Sequence, residues 1–370
     1  MILIKGIYNE AKVFTRELEK TARKQIETLC DQEFTRGSTI RIMPDVHAGA
    51  GCTIGTTMTI TDKVVPNLVG VDIGCGMETI SIQSDKIDLP TLDRLIHQQI
   101  PSGFSIRKAP HRYLEKIDLN QLRCREGGKN DAKLRIDRAR LSLGTLGGGN
   151  HFIEVNRDEK GRLYLVVHSG SRNLGLQVAL YYQRKASGKH PHLPPDLAYL
   201  EGRDFEDYLH DMQLIQAFAA LNRKAMMDEI EKGLSLSIDH AFTTIHNYID
   251  LDSMVLRKGA ISAKKNERVL IPMNMKDGSL LCEGLGNPDW NESAPHGAGR
   301  VMSRTEARKT LSLRTFHQLM DGIYTSTVSR DTLDESPEAY RPMEELKEEM
   351  KDTVRVLHHL KPIYNFKAKE

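Results

Sequence analysis

The run Val69-Gly70-Val71-Asp72-Ile73-Gly74-Cys75-Gly76-Met77 sets a carboxylate and a thiol three residues apart, where an apolar, strand-like stretch breaks into glycine. A strand fixes the ligand backbone, glycines remove side-chain bulk, and thiolate with carboxylate supplies negative charge for a cation. The fold must therefore bring further donors to the end of this strand. Four histidines stand in similar strand-end or glycine-rich settings: Gly147-Gly148-Gly149-Asn150-His151, Val166-Val167-His168-Ser169-Gly170, Ile245-His246-Asn247-Tyr248 and Ala294-Pro295-His296-Gly297-Ala298-Gly299. Together they point to a metal-assisted active site.

A chain of 370 residues, 39% hydrophobic and 28% charged, buries a large core. Net charge is only +2, so a nucleic-acid partner needs a local basic surface rather than bulk charge. No apolar run reaches the ~20 residues of a membrane span, and Met1-Ile2-Leu3-Ile4-Lys5 lacks a signal-peptide layout. The expectation is a cytoplasmic protein without a membrane partner. Five scattered cysteines, an odd number, do not make a disulfide framework; Cys30, Cys52, Cys124 and Cys282 read as structural thiols.

Residues 8–31 read as an amphipathic helix, and 40–86 as short β-branched strands. Asp88-Leu89-Pro90 opens a short helix ending near Ile100. Residues 101–138, rich in Arg, Lys and Gly, read as an exposed, partly mobile basic segment. Strands follow at 151–155 and 163–168, then a polar loop at 184–200 and a long helix from 204 to 232. Residues 238–282 return to strands and turns, and a charged helix covers 340–359. Candidate ligands run from 72 to 296 without a composition break, which argues for one α+β domain over residues 1–370, with mixed sheets around a central metal and nucleotide cleft.

Alone, His168 or His246 is best explained as a hydrogen-bonded core residue; the joint pattern is what argues for ligation. His97, His111, His190, His192, His210, His317, His358 and His359 sit in helical or polar stretches and read as surface residues. Glycine clusters joined directly to a histidine, at 147–151 and 296–299, suit close approach of a ligand to the backbone.

In order along the chain, Met43-Pro44-Asp45-Val46-His47-Ala48-Gly49, Gly70-Val71-Asp72-Ile73-Gly74-Cys75-Gly76, Gly148-Gly149-Asn150-His151-Phe152-Ile153-Glu154, Val167-His168-Ser169-Gly170-Ser171-Arg172, His246-Asn247-Tyr248, Arg257-Lys258-Gly259-Ala260 and His296-Gly297-Ala298-Gly299-Arg300-Val301-Met302-Ser303-Arg304 resemble the motifs of the RtcB family of GTP-dependent RNA ligases. Lys367 resembles that family's C-terminal lysine, so the likeness spans nearly the whole chain.

The resemblance implies an enzyme that joins an RNA 2′,3′-cyclic phosphate or 3′-phosphate end to a 5′-hydroxyl end in RNA repair or tRNA splicing, using GTP and two Mn²⁺ ions. Cys75 would bridge the two, one also held by His168 and His246, the other by Asp72 and His151. Ligand chemistry alone suggests zinc, because thiolate with imidazole suits a softer ion. His296 would carry GMP. A neutral imidazole nitrogen is a competent nucleophile near pH 7, and Gly297, Ala298 and Gly299 leave room around phosphorus. The resemblance places Asn150, Phe152, Ile153, Glu154, Asn247, Ser279 and Lys367 against the nucleotide with His151 and His246. Arg172 and Arg300 are the candidates for RNA phosphate contacts.

The departure lies at Pro272-Met273-Asn274-Met275-Lys276, where many members carry Gly-Ser-Met-Gly after the proline. Two methionines and a lysine would reshape the nucleotide rim, with Asn274 replacing the serine. The chain is also short beside typical members, which implies a trimmed RNA surface. Two rival classes use the same residues differently. A metal-dependent RNA phosphodiesterase would not need His296 as a GMP carrier, and a noncatalytic RNA-binding factor would not need its ligand positions filled. The residues name no activating protein partner.

Overall fold

The computed structural model describes residues 1–126 and 134–368. Two sheets, the larger wholly antiparallel and the smaller mixed through one parallel pair, face a common cavity. The seven-stranded sheet runs, edge to edge, Ile238–Ile245, Gly76–Ile82, Leu163–Ser169, Phe152–Arg157, Val354–Lys367, Gly278–Gly284 and Arg268–Asn274. The six-stranded sheet runs Ile2–Lys5, Glu10–Val13, Ile40–His47, Ile54–Thr59, Val255–Lys258 and Asn247–Asp250. Leu165, Val167, Ile153, Val155 and Ile80 are buried between the larger sheet and the helices Leu89–Gln99 and Arg203–Leu234. Strands buried on both faces read as near-continuous apolar runs, as in Leu163-Tyr164-Leu165-Val166-Val167.

The register of the larger sheet explains the site. Gly76 starts its strand opposite Ser169 and Ile245, which end the two antiparallel neighbours. Phe152, which starts the next strand, lies opposite His168, and Lys367 lies opposite Phe152. Cys75, His151, His168, His246 and Lys367 thus collect at one sheet edge although they span the chain from 75 to 367. The expected α+β architecture of mixed sheets around a cleft is what forms.

Several local expectations fail. Residues 8–31 are not one helix: Glu10–Val13 is a strand that runs parallel to Ile40–Ile42, and the helix is Lys20–Cys30. Alternate burial of Ala11 and Val13 is a period-2 signal hidden in a short run. The C-terminal helix stops at Glu349, and Val354–Lys367 is a strand inside the seven-stranded sheet; its β-branched and aromatic residues outweigh the charged start of the segment. The polar loop at 184–200 begins later than expected, because the helix Arg172–Lys189 runs into it.

The basic segment is pinned where it is described, residues 127–133 lying outside that range. Tyr113, Leu119, Leu122 and Cys124 enter the main core. The buried Asp211 carboxylate accepts from the backbone N–H groups of Arg123 and Cys124 at 2.8 and 2.9 Å. His111 is buried rather than at the surface, with Nδ1 accepting from the Tyr113 amide at 3.1 Å. All five cysteines are buried and free. Among the described residues no helix is long and apolar enough to cross a membrane.

Candidate metal centre and the adjoining histidine

Gly74, with φ +72°, turns the chain so that Cys75 points into the sheet edge, a conformation that costs a residue with a Cβ. Two donor groups meet there: Cys75 with His168 and His246, and Asp72 with Cys75 and His151, the ligand atoms of each group lying within 4.8 Å of one another. Cys75 belongs to both. Its Sγ lies 3.5 Å from His151 Nε2 and 3.4 Å from His168 Nε2, and His151 Nε2 lies 3.0 Å from Asp72 Oδ2.

Backbone carbonyls set the tautomers. His151 Nδ1 donates to the Leu146 carbonyl at 2.8 Å and His168 Nδ1 to the Asn150 carbonyl at 3.2 Å. A carbonyl only accepts, so each ring presents an unprotonated Nε2 toward Cys75. Burial holds His168 and His246 well below the ordinary histidine range, as neutral imidazoles. The buried Nδ1 of His246 has no hydrogen-bond partner, and burial followed by the neighbouring Asp72 charge pushes the Cys75 thiol well up. A cation reverses that last effect, because it stabilises the thiolate more than burial opposes it. A shared thiolate, a carboxylate, neutral imidazoles and an orphaned ring nitrogen fit a pair of cations.

The long helix Arg203–Leu234 buttresses this edge. Asn222 Nδ2 donates to Ser169 Oγ and the Gly170 carbonyl at 3.1 and 3.0 Å. Fully buried Arg223 donates through Nη1 to the Gly74 and Ser169 carbonyls at 2.7 and 3.0 Å. Gly170 is required for a simpler reason: a Cβ there would overlap the Asp72 carboxylate.

His296 follows the short strand Ser293–Pro295 and faces the metal-ligand edge, its ring centroid 5.1 Å from that of His246. Fully buried Asp45 accepts through Oδ2 from His296 Nδ1 at 2.6 Å and from the His296 amide at 3.1 Å. The carboxylate therefore holds the proton on Nδ1 and leaves Nε2 with its lone pair. The sequence contained Asp45 in a motif but gave it no role; a carboxylate in a buried β-run, Ile42-Met43-Pro44-Asp45-Val46, is the signal that was there to read.

A cavity of about 310 Å³ opens beside these groups, lined among others by Asn150, Phe152, Glu154, Asn247, His296 and Lys367. Buried Lys367 donates to the Asn150 carbonyl at 3.1 Å, pairs with Glu335 at 2.6 Å, and lies 5.1 Å over the Phe152 ring. Glu335 was not singled out from sequence. Burial pushes the Glu154 carboxyl up to about 7, and its Oε2 accepts from Asn365 at 2.6 Å. Asn247 is committed locally, accepting from the Gly259 amide at 2.8 Å and donating to the Asp72 carbonyl.

Pro272, Met273, Asn274 and Met275 line the cavity, as do Gly297, Ala298 and Gly299. The Ala298 amide donates to the Pro272 carbonyl at 3.1 Å, docking the two segments together. Met273 and Met275 are buried in two different side clusters. The Asn274 side chain closes the hairpin turn, accepting from the amides of Lys276 and Asp277 at 3.0 and 2.8 Å. Ser279 and Ile153 are fully buried in strands and do not line the cavity. Arg172 is spent on the Gly103 carbonyl and Thr145 Oγ1, at 2.9 and 3.1 Å. Arg300 lines the cavity and donates to the Asp334 carbonyl at 2.7 Å.

A family model described as tRNA-splicing ligase RtcB matches residues 27–368. The RNA-splicing ligase RtcB of Escherichia coli K12 is 32% identical, the match covering 94% of this chain and 94% of that protein. The tRNA-splicing ligase RtcB of Aeropyrum pernix is 28% identical over 88% of this chain and 86% of its own. The two alignments, 386 and 422 positions long, exceed the 370 residues of this chain, so each relative carries segments that this chain lacks, in line with the expected shortness. The shared-thiolate cluster, the carboxylate-held histidine beside it and the match over residues 27–368 agree, and the chain belongs to the RtcB family.

Proposed function

We propose that the protein is an RNA ligase that joins 2′,3′-cyclic phosphate or 3′-phosphate ends to 5′-hydroxyl ends with GTP and two Mn²⁺ ions, acting in the cytoplasm on broken or spliced RNA. The observation that carries this reading is the Asp45–His296 pair facing the shared-thiolate cluster. Asp72 and His151 would hold one cation, His168 and His246 the other, with Cys75 common to both. Such a pair neutralises the charge on phosphoryl oxygens.

The chain's own residues would do the rest. His296 Nε2 attacks the α-phosphorus of GTP, a P–N bond forms and pyrophosphate leaves; Asp45 holds the proton on Nδ1 throughout and stabilises the charge that develops on the ring. GMP then passes from His296 to the RNA 3′-phosphate, and the RNA 5′-hydroxyl displaces it. A cyclic phosphate end is first opened by water. The amides of Gly297 and Gly299 would meet phosphate oxygens, the Ala298 amide being held by the Pro272 carbonyl, and Glu154 and Lys367 would border the base. Members named for RNA splicing and tRNA splicing support the substrate class.

Asp45 provides the test. Replacing it by Asn keeps the shape but no longer fixes the imidazole tautomer, so Asp45→Asn slows GMP transfer to His296 by roughly 10²- to 10⁴-fold, the scale of the same change in a nucleophile–imidazole–carboxylate triad. Bound manganese, measured by elemental analysis, stays at the wild-type level. A variant that guanylylates at the wild-type rate contradicts the assignment. A phosphodiesterase working through the metals alone would show no dependence on GTP at all.

A further inference from the structure

Phe104 is the most exposed large hydrophobic side chain among the described residues, at 84%, yet the loop that carries it is held on every side. Ser102 bridges Gly147 in parallel register, the Gly103 amide donates to the Gly147 carbonyl at 2.7 Å, and the Leu146 amide donates to the Pro101 carbonyl at 2.9 Å. Arg172 Nη2 holds the Gly103 carbonyl at 2.9 Å and Arg138 Nη2 the Phe104 carbonyl at 2.8 Å. Gly103 takes φ +61° to make the turn. A loop with this many backbone partners does not leave a phenyl ring in water through slack; the ring is held out.

Its neighbours show what it is held out toward. Gly147 packs against His151 so closely that a Cβ there would lie 2.9 Å from the ring's Nδ1, and it also abuts the Arg172 guanidinium. Arg172 in turn feels the Asp72 carboxylate. The Phe104 loop is therefore built against the Asp72–His151 half of the candidate metal centre. Lys108, Arg135 and Arg138 are exposed on the same segment and the adjoining helix Ile136–Ser142, in a chain whose net charge is only +2. An exposed ring beside cations is how proteins grip single-stranded nucleic acid: the cations follow the phosphates and a base stacks on the ring without sequence preference.

We propose that Phe104 is a stacking platform for a base at the RNA end that enters the cleft on the Asp72–His151 side, with Arg138 and Lys108 meeting the flanking phosphates. This rests on the ligase reading, which supplies the RNA, but concerns a residue that touches neither nucleotide nor metal.

The test uses full-length protein with Mn²⁺ and no GTP, so that binding is read without sealing. Two RNA strands serve as probes, one with 2-aminopurine at a 3′-phosphate terminus and one with it at a 5′-hydroxyl terminus. Wild type and Phe104→Tyr quench the fluorophore of one strand and bind it tightly; Phe104→Ala loses the quench and weakens that strand by about 5- to 100-fold, the scale of one lost base–aromatic stack. The other strand is unaffected, which assigns the end. GMP transfer to His296 stays at the wild-type rate in all three proteins.

Binding of both strands by Phe104→Ala at the wild-type level, with the quench retained, overturns the proposal, as does a loss that Phe104→Tyr fails to restore. If wild type binds and quenches but takes no GMP from GTP, the ligase reading fails and the platform stands. If guanylylation proceeds but Phe104 is indifferent to RNA, the reverse holds.

Discussion

His296→Ala abolishes the protein–GMP adduct while manganese content stays near the wild-type value. His296 meets the metal-ligand edge through ring contact with His246 and belongs to neither donor group, so removing it deletes the proposed nucleophile without unseating a ligand. The loss is complete rather than partial because, among the described residues that line this cavity, no second imidazole is held by a buried carboxylate: His47 and His168 lean on backbone carbonyls and His246 Nδ1 on nothing. Intact-protein mass spectrometry after incubation with GTP reads the outcome directly. An adduct of full yield in the variant moves the nucleophile elsewhere.

Cys75→Ala empties both metal positions, whereas His168→Ala empties chiefly one. The thiol is the one donor common to the two groups, and without it each cation loses a ligand while the two ions lose the charge that shields them from each other. Changing even an outer partner of a metal ligand costs ~10–100-fold in affinity, so loss of the bridge falls at or beyond the top of that range. Titration of metal-free protein with Mn²⁺ gives two weakened sites for Cys75→Ala and one for His168→Ala. Two sites of wild-type affinity in both variants refute the ligand assignment. Removing the metals by chelation from wild type reproduces the Cys75→Ala phenotype.

Much of this centre was legible in the chain because its parts are short and local. A strand that breaks into Gly-Cys-Gly and histidines at strand ends are visible without knowing how strands pair. What the sequence cannot give is register. That Gly76 lies opposite Ser169 and Ile245, and Phe152 opposite His168, is decided by packing across the whole sheet, and only this puts Cys75, His151, His168 and His246 on one edge.

The residues that support the site were less visible for the same reason. Asn222 and Arg223 look like two polar positions on an amphipathic helix; their work is to satisfy carbonyls of Gly74, Ser169 and Gly170, some fifty to a hundred and fifty residues away in the chain. Asp45 lies in the six-stranded sheet, whereas His168 lies in the seven-stranded one. Short elements failed where two signals competed. Met343–Glu349 carries a helix-like charge pattern that ends at Met350, and the sheet claims the chain from Val354 onward.

The segment that departs from the family, Met273 to Lys276, illustrates the opposite case. Its composition suggested bulk thrust into the nucleotide rim. Both methionines also anchor in flanking clusters and Asn274 closes its own hairpin, so the residues that line the cavity are held in place from behind.

The most direct test of the central claim is a chase. Protein loaded with [α-³²P]GMP on His296, freed of GTP, is mixed with two RNA strands, one ending in a 3′-phosphate and one beginning with a 5′-hydroxyl. The account predicts that the label leaves the protein, appears as GMP in equal amount to the joined RNA, and never enters the junction, because the junction phosphate is the RNA's own. Joined RNA that forms without loss of the protein label, or a junction that carries it, contradicts the account.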